Sequence, residues 1–289
     1  MTSVQIGNTL VGEGRPCYVV AEIGINHNGD VEIAKRLINL AAAAGCNAVK
    51  FQKRTVEIVY SPEELARLRD SPFGTTNGDL KRGLELDRAE YDEIDRYCRQ
   101  VGIAWFASCW DEPSVAFIDS YGPPCFKIAS ASLTDDALLG LTRAKGRPVI
   151  LSTGMSTVEQ VDHAVEILGR DDLILLHTCS EYPSRYENLN LKVIPALRAR
   201  YVVPVGYSGH ETGLASTLAA VALGACMVER HVTIDRAMWG SDQAASVGPS
   251  GFTRLVRDIR LVEASLGDGV KRVVPAEVEV MKKLRRIGA

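Results

Sequence analysis

The chain has 289 residues, 46% hydrophobic and 24% charged, with a formal net charge of -3. That length and composition suit one large α/β domain with a substantial core, and the lack of a basic face or Lys/Arg run excludes a general nucleic-acid or anionic-membrane binder. Seven cysteines stand singly with no C-x-x-C pair, the usage of reduced cytosolic thiols rather than of a disulfide frame.

The N-terminus carries neither a basic n-region nor an apolar h-region, so a cytoplasmic protein is expected. Val4 to Gly14 alternates and turns at Gly7-Asn8, which predicts a hairpin closing one end of the fold. From there one unit recurs: an amphipathic helix, a Gly or polar turn, then a short apolar strand ending in a polar residue. The strands are expected in Tyr18–Gly24 and after the turns at Gly45, Gly102, Gly122, Gly146, Asp171, Val203 and Gly224. Continuous rather than alternating apolar runs mark strands buried on both faces, hence a parallel sheet with helices outside. Eight such units over roughly 250 residues are the count of a closed TIM (β/α)8 barrel, taken here as a single domain over residues 1–289.

The helices agree. Ile33, Ala34, Leu37, Ile38 and Ala41 form one stripe that Gly45 stops. Ser156-Thr-Val-Glu159 reads as a capping box. Phe252, Leu255, Val256, Ile259, Val262 and Leu266 line one face of the last barrel helix. Leu214 to Val228 is the most apolar stretch, yet too short and too interrupted to span a bilayer. Arg54 to Leu86, after the second strand, is a long insertion on the face where lids and substrate loops occur. The basic tail after Gly267 reads as a solvated helix face.

A barrel builds its active site from the C-terminal ends of its strands. Those ends supply Glu22, then Lys50 with Gln52, then Ser108-Cys109, then Lys127 with Ser130 and Ser132. Ser152, His177 with Ser180 and Tyr182, Ser208 with His210, and Glu229 with His231 complete the circle, and Asp242 and Gln243 follow. Two lysines among serines suit a phosphate or carboxylate. His210 and His231, at consecutive strand ends with Glu22 closing the circle, suit a divalent metal with vacant positions. Glu229 either points inward as a supporting partner or pairs with Arg230. His27 is a turn residue or a substrate contact, Trp239 and Tyr182 a sugar platform or loop packing, and His163 an exposed helix residue.

These motifs resemble the sialic acid synthase (N-acetylneuraminate synthase) family of phosphoenolpyruvate-dependent condensing enzymes. The resemblance rests on Ala21-Glu-Ile-Gly-Ile-Asn-His-Asn-Gly29, Val49-Lys-Phe-Gln52, Phe126-Lys-Ile-Ala-Ser130 and Ile150-Leu-Ser-Thr-Gly-Met155. It continues through Gly206-Tyr-Ser-Gly-His210, Glu229-Arg-His-Val-Thr-Ile-Asp235 and Gly240-Ser-Asp-Gln243. It implies phosphoenolpyruvate on Lys50, Lys127, Ser130, Ser152 and Ser208, and Mn²⁺ or Mg²⁺ on His210 and His231. Glu22, Gln52, Tyr182 and Asp242 match positions that contact the sugar, a water or the reacting centre. The implied reaction joins phosphoenolpyruvate to an open-chain aldose, giving a 2-keto-3-deoxy sugar acid. A metal-dependent sugar aldolase or isomerase and a noncatalytic sugar- or anion-binding barrel are the alternatives. Ser132, Cys109 and Ser180 replace the family's usual residues, and its small C-terminal antifreeze-like domain has no counterpart here, so the aldose and any homodimer are left open.

Overall fold

In the computed structural model, which describes residues 2–287, the chain begins with an antiparallel hairpin, β1 (Ser3–Ile6) and β2 (Thr9–Gly12). The first barrel strand, β3 (Tyr18–Gly24), leads into α1 (Val31–Ala44), which Asp30 caps and Gly45 ends in the left-handed conformation. β4 (Ala48–Lys53) follows. The expected insertion then folds into α2 (Val56–Val59), α3 (Pro62–Ala66), the hairpin β5 (Leu68–Ser71) with β6 (Gly74–Thr76), and α4 (Asn77–Gly83). It is anchored by Glu85, which receives Arg54 Nε at 2.7 Å.

The regular alternation resumes with α5 (Arg88–Val101), β7 (Ala104–Cys109), α6 (Glu112–Asp119), β8 (Phe126–Ile128) and α7 (Asp136–Arg143). β9 (Val149–Ser152), α8 (Val158–Leu168), β10 (Leu173–Thr178) and α9 (Val193–Tyr201) come next. β11 (Val205–Gly209), α10 (Ala215–Ala222), β12 (Met227–His231), α11 (Pro249–Leu266) and α12 (Pro275–Leu284) complete the chain. The eight strands predicted from the sequence form a closed parallel barrel, sealed where β12 pairs with β3.

Because successive strand side chains point to opposite faces, two cores result. Val19, Ala21 and Ile23 of β3 point outward and pack under α1, α5 and α11 with Leu37, Ile94 and Phe252. Tyr18 and Val20 point inward, where they meet Phe106, Ile150, Ile174, Met227 and the hairpin residues Val4, Ile6 and Val11. The hairpin therefore plugs the N-terminal end, and the C-terminal half of the interior is left to polar residues.

Some local expectations are corrected. The capping box of α8 is Thr157 with Gln160, one residue later than predicted, because the Ser156 hydroxyl donates to the Gly154 carbonyl instead. The apolar stripe of α11 ends at Val262; Leu266 lies beyond the barrel wall and is exposed. No described helix is long and apolar enough to cross a membrane.

Candidate active site

Strand parity selects what enters the C-terminal cavity. On β3, Glu22 shares the inward face of Tyr18 and Val20; on β4, Lys50 and Gln52 share that of Ala48. Lys127, Ser152, Ser208, Glu229 and His231 follow the same rule, and all of them line one cavity of about 190 Å³ together with Ser130, Ser180, Tyr182 and His210. Pairing of β12 with β3 sets His231 beside Glu22, and pairing of β3 with β4 sets Glu22 beside Lys50.

The floor is a buried charge lattice. Lys50 Nζ lies 2.8 Å from Glu22 Oε2 and 3.8 Å from Glu229 Oε2, and it donates to Ser108 Oγ at 2.7 Å. Lys127 Nζ lies 3.8 Å from Glu229 Oε1 and donates to Ser152 Oγ at 2.7 Å. Ser208 Oγ donates to Glu229 at 3.0 Å, and Gln52 Nε2 donates to Glu22 Oε1 at 3.0 Å. The two lysines differ for a geometric reason. Burial opposes the charge of both, but Glu22 and Glu229 outweigh it at Lys50 and hold that ammonium above its ordinary pKa. Lys127 lacks a carboxylate in direct contact, and burial pulls it down to about 8. Burial likewise opposes ionisation of Glu229, yet the two ammoniums hold its carboxyl below the usual range.

Beside this lattice stand the imidazoles, with ring centroids 5.6 Å apart. Burial, reinforced by His231, pushes His210 down to about 3, so its ring is neutral. Its Nδ1 donates to the Cys179 carbonyl at 2.8 Å, leaving Nε2 with a free lone pair. His231 Nδ1 is buried with no hydrogen-bond partner and faces Asp242 Oδ2 at 3.8 Å. Tyr182 covers His210, ring centroids 3.9 Å apart. Glu22 is engaged by Lys50 and Gln52, and among the described residues no three His, Cys, Asp or Glu side chains converge as a ligand set. Two imidazoles side by side, His210 neutral and held by the Cys179 carbonyl and His231 with an unpartnered ring nitrogen, fit a divalent ion whose other ligands are substrate and water.

Two glycines make the approach possible. β3 and β4 shift register between Glu22 and Gly24, and Gly24 sits at φ +55°; a Cβ there would lie 3.1–3.3 Å from Glu22 Oε1, Gln52 Nε2 and His231 Cε1. At Gly154 a Cβ would meet Ser180 Oγ at 2.3 Å and Ser130 Oγ at 2.9 Å, and the Gly154 amide donates to Ser130.

Four sequence candidates are placed elsewhere. Ser132 is buried in a 3₁₀ turn and is not part of the cavity wall. Asp242 stands behind His231 rather than in the wall. His177 has outward parity, and its Nε2 donates to the Leu189 carbonyl at 2.6 Å. Cys109 likewise faces the outer core. His27 is buried, its Nδ1 accepting from the Gly29 amide at 3.0 Å, a turn role. His163 is exposed on α8 against Asp136. Glu229 resolves inward, while Arg230 pairs on the outer side with Glu211 at 3.1 Å. Ser108, placed at the rim by the sequence, does line the cavity, whereas Thr178 and Trp110 were passed over; the parity of β10 marks Thr178, but Trp110 follows its strand and has no such signal.

A model of the NeuB family matches residues 37–271. N-acetylneuraminate-9-phosphate synthase of Homo sapiens is 40% identical over 279 residues, 95% of this chain and 78% of the relative. N,N'-diacetyllegionaminic acid synthase of Legionella pneumophila is 34% identical over 285 residues, 95% of this chain and 80% of the relative. Among solved structures, the N-acetylneuraminic acid (sialic acid) synthetase of Leptospira borgpetersenii, in complex with citrate, superposes with a TM-score of 0.87 at 30% identity. That match covers 99% of this chain and 98% of the other.

Proposed function

Since the chain belongs to the NeuB family, we propose that it condenses phosphoenolpyruvate with an open-chain aldose of the N-acetylmannosamine kind, yielding a 2-keto-3-deoxy sugar acid and phosphate. The observation that carries this reading is a single cavity that gathers two buried ammoniums, a set of serine hydroxyls and two imidazoles. The paired lysines and the rim serines weigh against a metal-dependent sugar aldolase or isomerase.

Charge accounting supports an ion as well. Lys50 and Lys127 are matched by Glu22 and Glu229. Phosphoenolpyruvate adds a carboxylate and a phosphate monoester of about -1.5 to -2 charge, which a balanced cavity does not offset. Mn²⁺ or Mg²⁺ held by His210 and His231 would restore the balance and, when bound, polarise the aldehyde as a Lewis acid.

The chain's own residues do the rest. Lys50 and Lys127 hold the anionic groups of phosphoenolpyruvate, with Ser130, Ser152 and Ser208 as hydroxyl donors, so that its methylene faces the aldehyde carbon. The new C–C bond leaves C2 electron-poor, and water adds there. Glu22, oriented by Lys50 and Gln52, accepts the proton of that water and returns it to the aldehyde oxygen, which becomes a hydroxyl. Phosphate then leaves C2 toward the two ammoniums, which stabilise its charge. Tyr182 and Ser180 border the aldose side, and Asp242 holds His231 from behind.

Phosphate release from phosphoenolpyruvate, measured with a panel of aldoses, with and without Mn²⁺ and a chelator, tests the proposal. Aldose-dependent release that the chelator abolishes is expected; no release with any aldose sinks the reading.

A further inference from the structure

Lys50, Lys127, Ser130 and Ser152, assigned above to phosphoenolpyruvate, come from one arc of the barrel, β4–β7–β8–β9. The floor of this arc is charged, and its lip is not. Past the strand ends the cavity is bordered by Trp110 after β7, Ala129 and Ala131 after β8, and Met155 after β9, an apolar lip interrupted by Ser130.

Met155 is the member that packing does not explain. Its side chain is 69% exposed although it lines the cavity, so it stands at the mouth rather than in the wall. Its backbone is left-handed, φ +57°, a conformation that residues bearing a Cβ hold only where their surroundings impose it. Here the flanking chain is fixed on both sides. The Gly154 amide donates to Ser130 at 3.0 Å, its carbonyl accepts the Ser156 hydroxyl at 3.1 Å, and Thr157 caps α8. Neither the strain nor the exposure stabilises the fold, and glycine would serve this turn at less cost.

Trp110 stands across β8 from Met155 and is held in place. Its amide donates to the Lys53 carbonyl at 3.1 Å, and the Arg54 guanidinium, itself fixed by Glu85, lies 5.5 Å from the ring centre. Neighbouring strands are about 4.8 Å apart, so the ends of β7 and β9 stand about 10 Å from each other across β8. An indole from one side and an unbranched thioether from the other close such a gap. Methionine, flexible along its whole length, adapts to what lies beneath it.

We infer that Met155 closes over bound phosphoenolpyruvate against Trp110 and shields its methylene from bulk water, so that this carbon attacks the aldehyde instead of taking a proton. Where the cover is missing, solvent protonates the methylene, water adds to C2 and gives its own proton back to solvent, and phosphate leaves. Phosphoenolpyruvate and water then become pyruvate and phosphate, with no C–C bond formed. Expelling water also strengthens the hold of Lys50 and Lys127 on the anion. This role rests on the condensation proposed above for the same cavity.

Two measurements test it. Hydrogen peroxide oxidises exposed methionine to the sulfoxide. Phosphoenolpyruvate, at a concentration that saturates the full chain by calorimetry, should slow that oxidation at Met155 and leave Met281 on α12 unaffected, as read by mass spectrometry. In turnover with aldose, the parent should form sugar acid and phosphate in equal amounts. Glycine adopts φ +57° without strain, so Met155→Gly should melt no lower than the parent. It is expected to raise phosphate release in the absence of aldose at least about tenfold, a barrier change of about 1.4 kcal/mol, and to yield less sugar acid than phosphate. Met155→Leu, of similar volume, should restore both parental values. An oxidation rate at Met155 that bound phosphoenolpyruvate leaves unchanged overturns the inference, and so does a Met155→Gly variant with parental product ratio and parental release. Protection of Met155 by phosphoenolpyruvate in a protein that forms no sugar acid with any aldose upholds the cover and sinks the condensation instead.

Discussion

Replacing Lys127 by Met separates what this residue does for the reaction from what it does to the fold. The ammonium is 3% exposed, and burial lowers its pKa from 10.5 to about 8. At about 1.4 kcal/mol per tenfold, that depression withholds about 3 kcal/mol of folding free energy at neutral pH. Met fills similar volume without the charge, so Lys127→Met is expected to be more stable than the parent at pH 7 by up to about 3 kcal/mol, less the lost bond to Ser152. The sign follows from linkage: the unfolded chain holds this proton up to pH 10.5 and the native one only to about 8. Parent stability therefore rises as pH climbs between those values, and the variant lacks that rise. Activity should move the other way. Loss of a charged contact to the phosphate or carboxylate costs about 1.5–3 kcal/mol, roughly 10- to 150-fold in kcat/KM for phosphoenolpyruvate. In the parent the same parameter should fall above pH 8 as the ammonium deprotonates. Chemical denaturation at pH 7 and 9.5, with phosphate-release kinetics over the same range, reads both. A destabilised variant that keeps its kcat/KM would refute the reasoning on both counts.

Other substitutions probe the remaining parts of the site. His231→Ala should abolish Mn²⁺ binding, followed by electron paramagnetic resonance, and turnover with it, while circular dichroism stays native; undiminished Mn²⁺ affinity removes the metal assignment. Glu211→Ala strands the buried guanidinium of Arg230, which also donates to Thr217 and the Gly213 carbonyl, and should cost about 3–5 kcal/mol by urea denaturation. A loss below about 1 kcal/mol would show that this pair does not tie β11 to β12. Gly24→Ala introduces a Cβ 3.1–3.3 Å from Glu22, Gln52 and His231 at a φ of +55°. It should lower kcat at least about tenfold, since misplacing reacting groups by about 1 Å can cost 100-fold, and destabilise by about 1–3 kcal/mol; parental kcat would mean that the bulge does not set the geometry of these three groups.

The amino-acid sequence determined which residues stand at the strand ends. Helix and strand periodicities are local, and eight buried apolar runs separated by helical stripes admit few arrangements other than a closed parallel barrel. Lys50, Lys127, Ser152, Ser208, His210 and His231 were therefore legible as a ring before any coordinates. Tertiary structure decided which members of the ring face inward and what each touches. His177 ends a strand like the others but has the opposite parity, and Ser132 follows its strand into a turn that carries it out of the wall. Glu229, ambiguous beside Arg230, became the acid shared by both lysines only through the pairing of β11 with β12. The difference between Lys50 and Lys127 is likewise invisible in the chain, because it depends on a 2.8 Å contact to Glu22, which is set by closure of the barrel at β12–β3 and the register of β3 against β4. Patterns of period 2 and 3.6 fix the elements. Register, parity at the bulge and separations of a few ångströms fix the charges, and these arise only when residues over 200 positions apart are brought into contact.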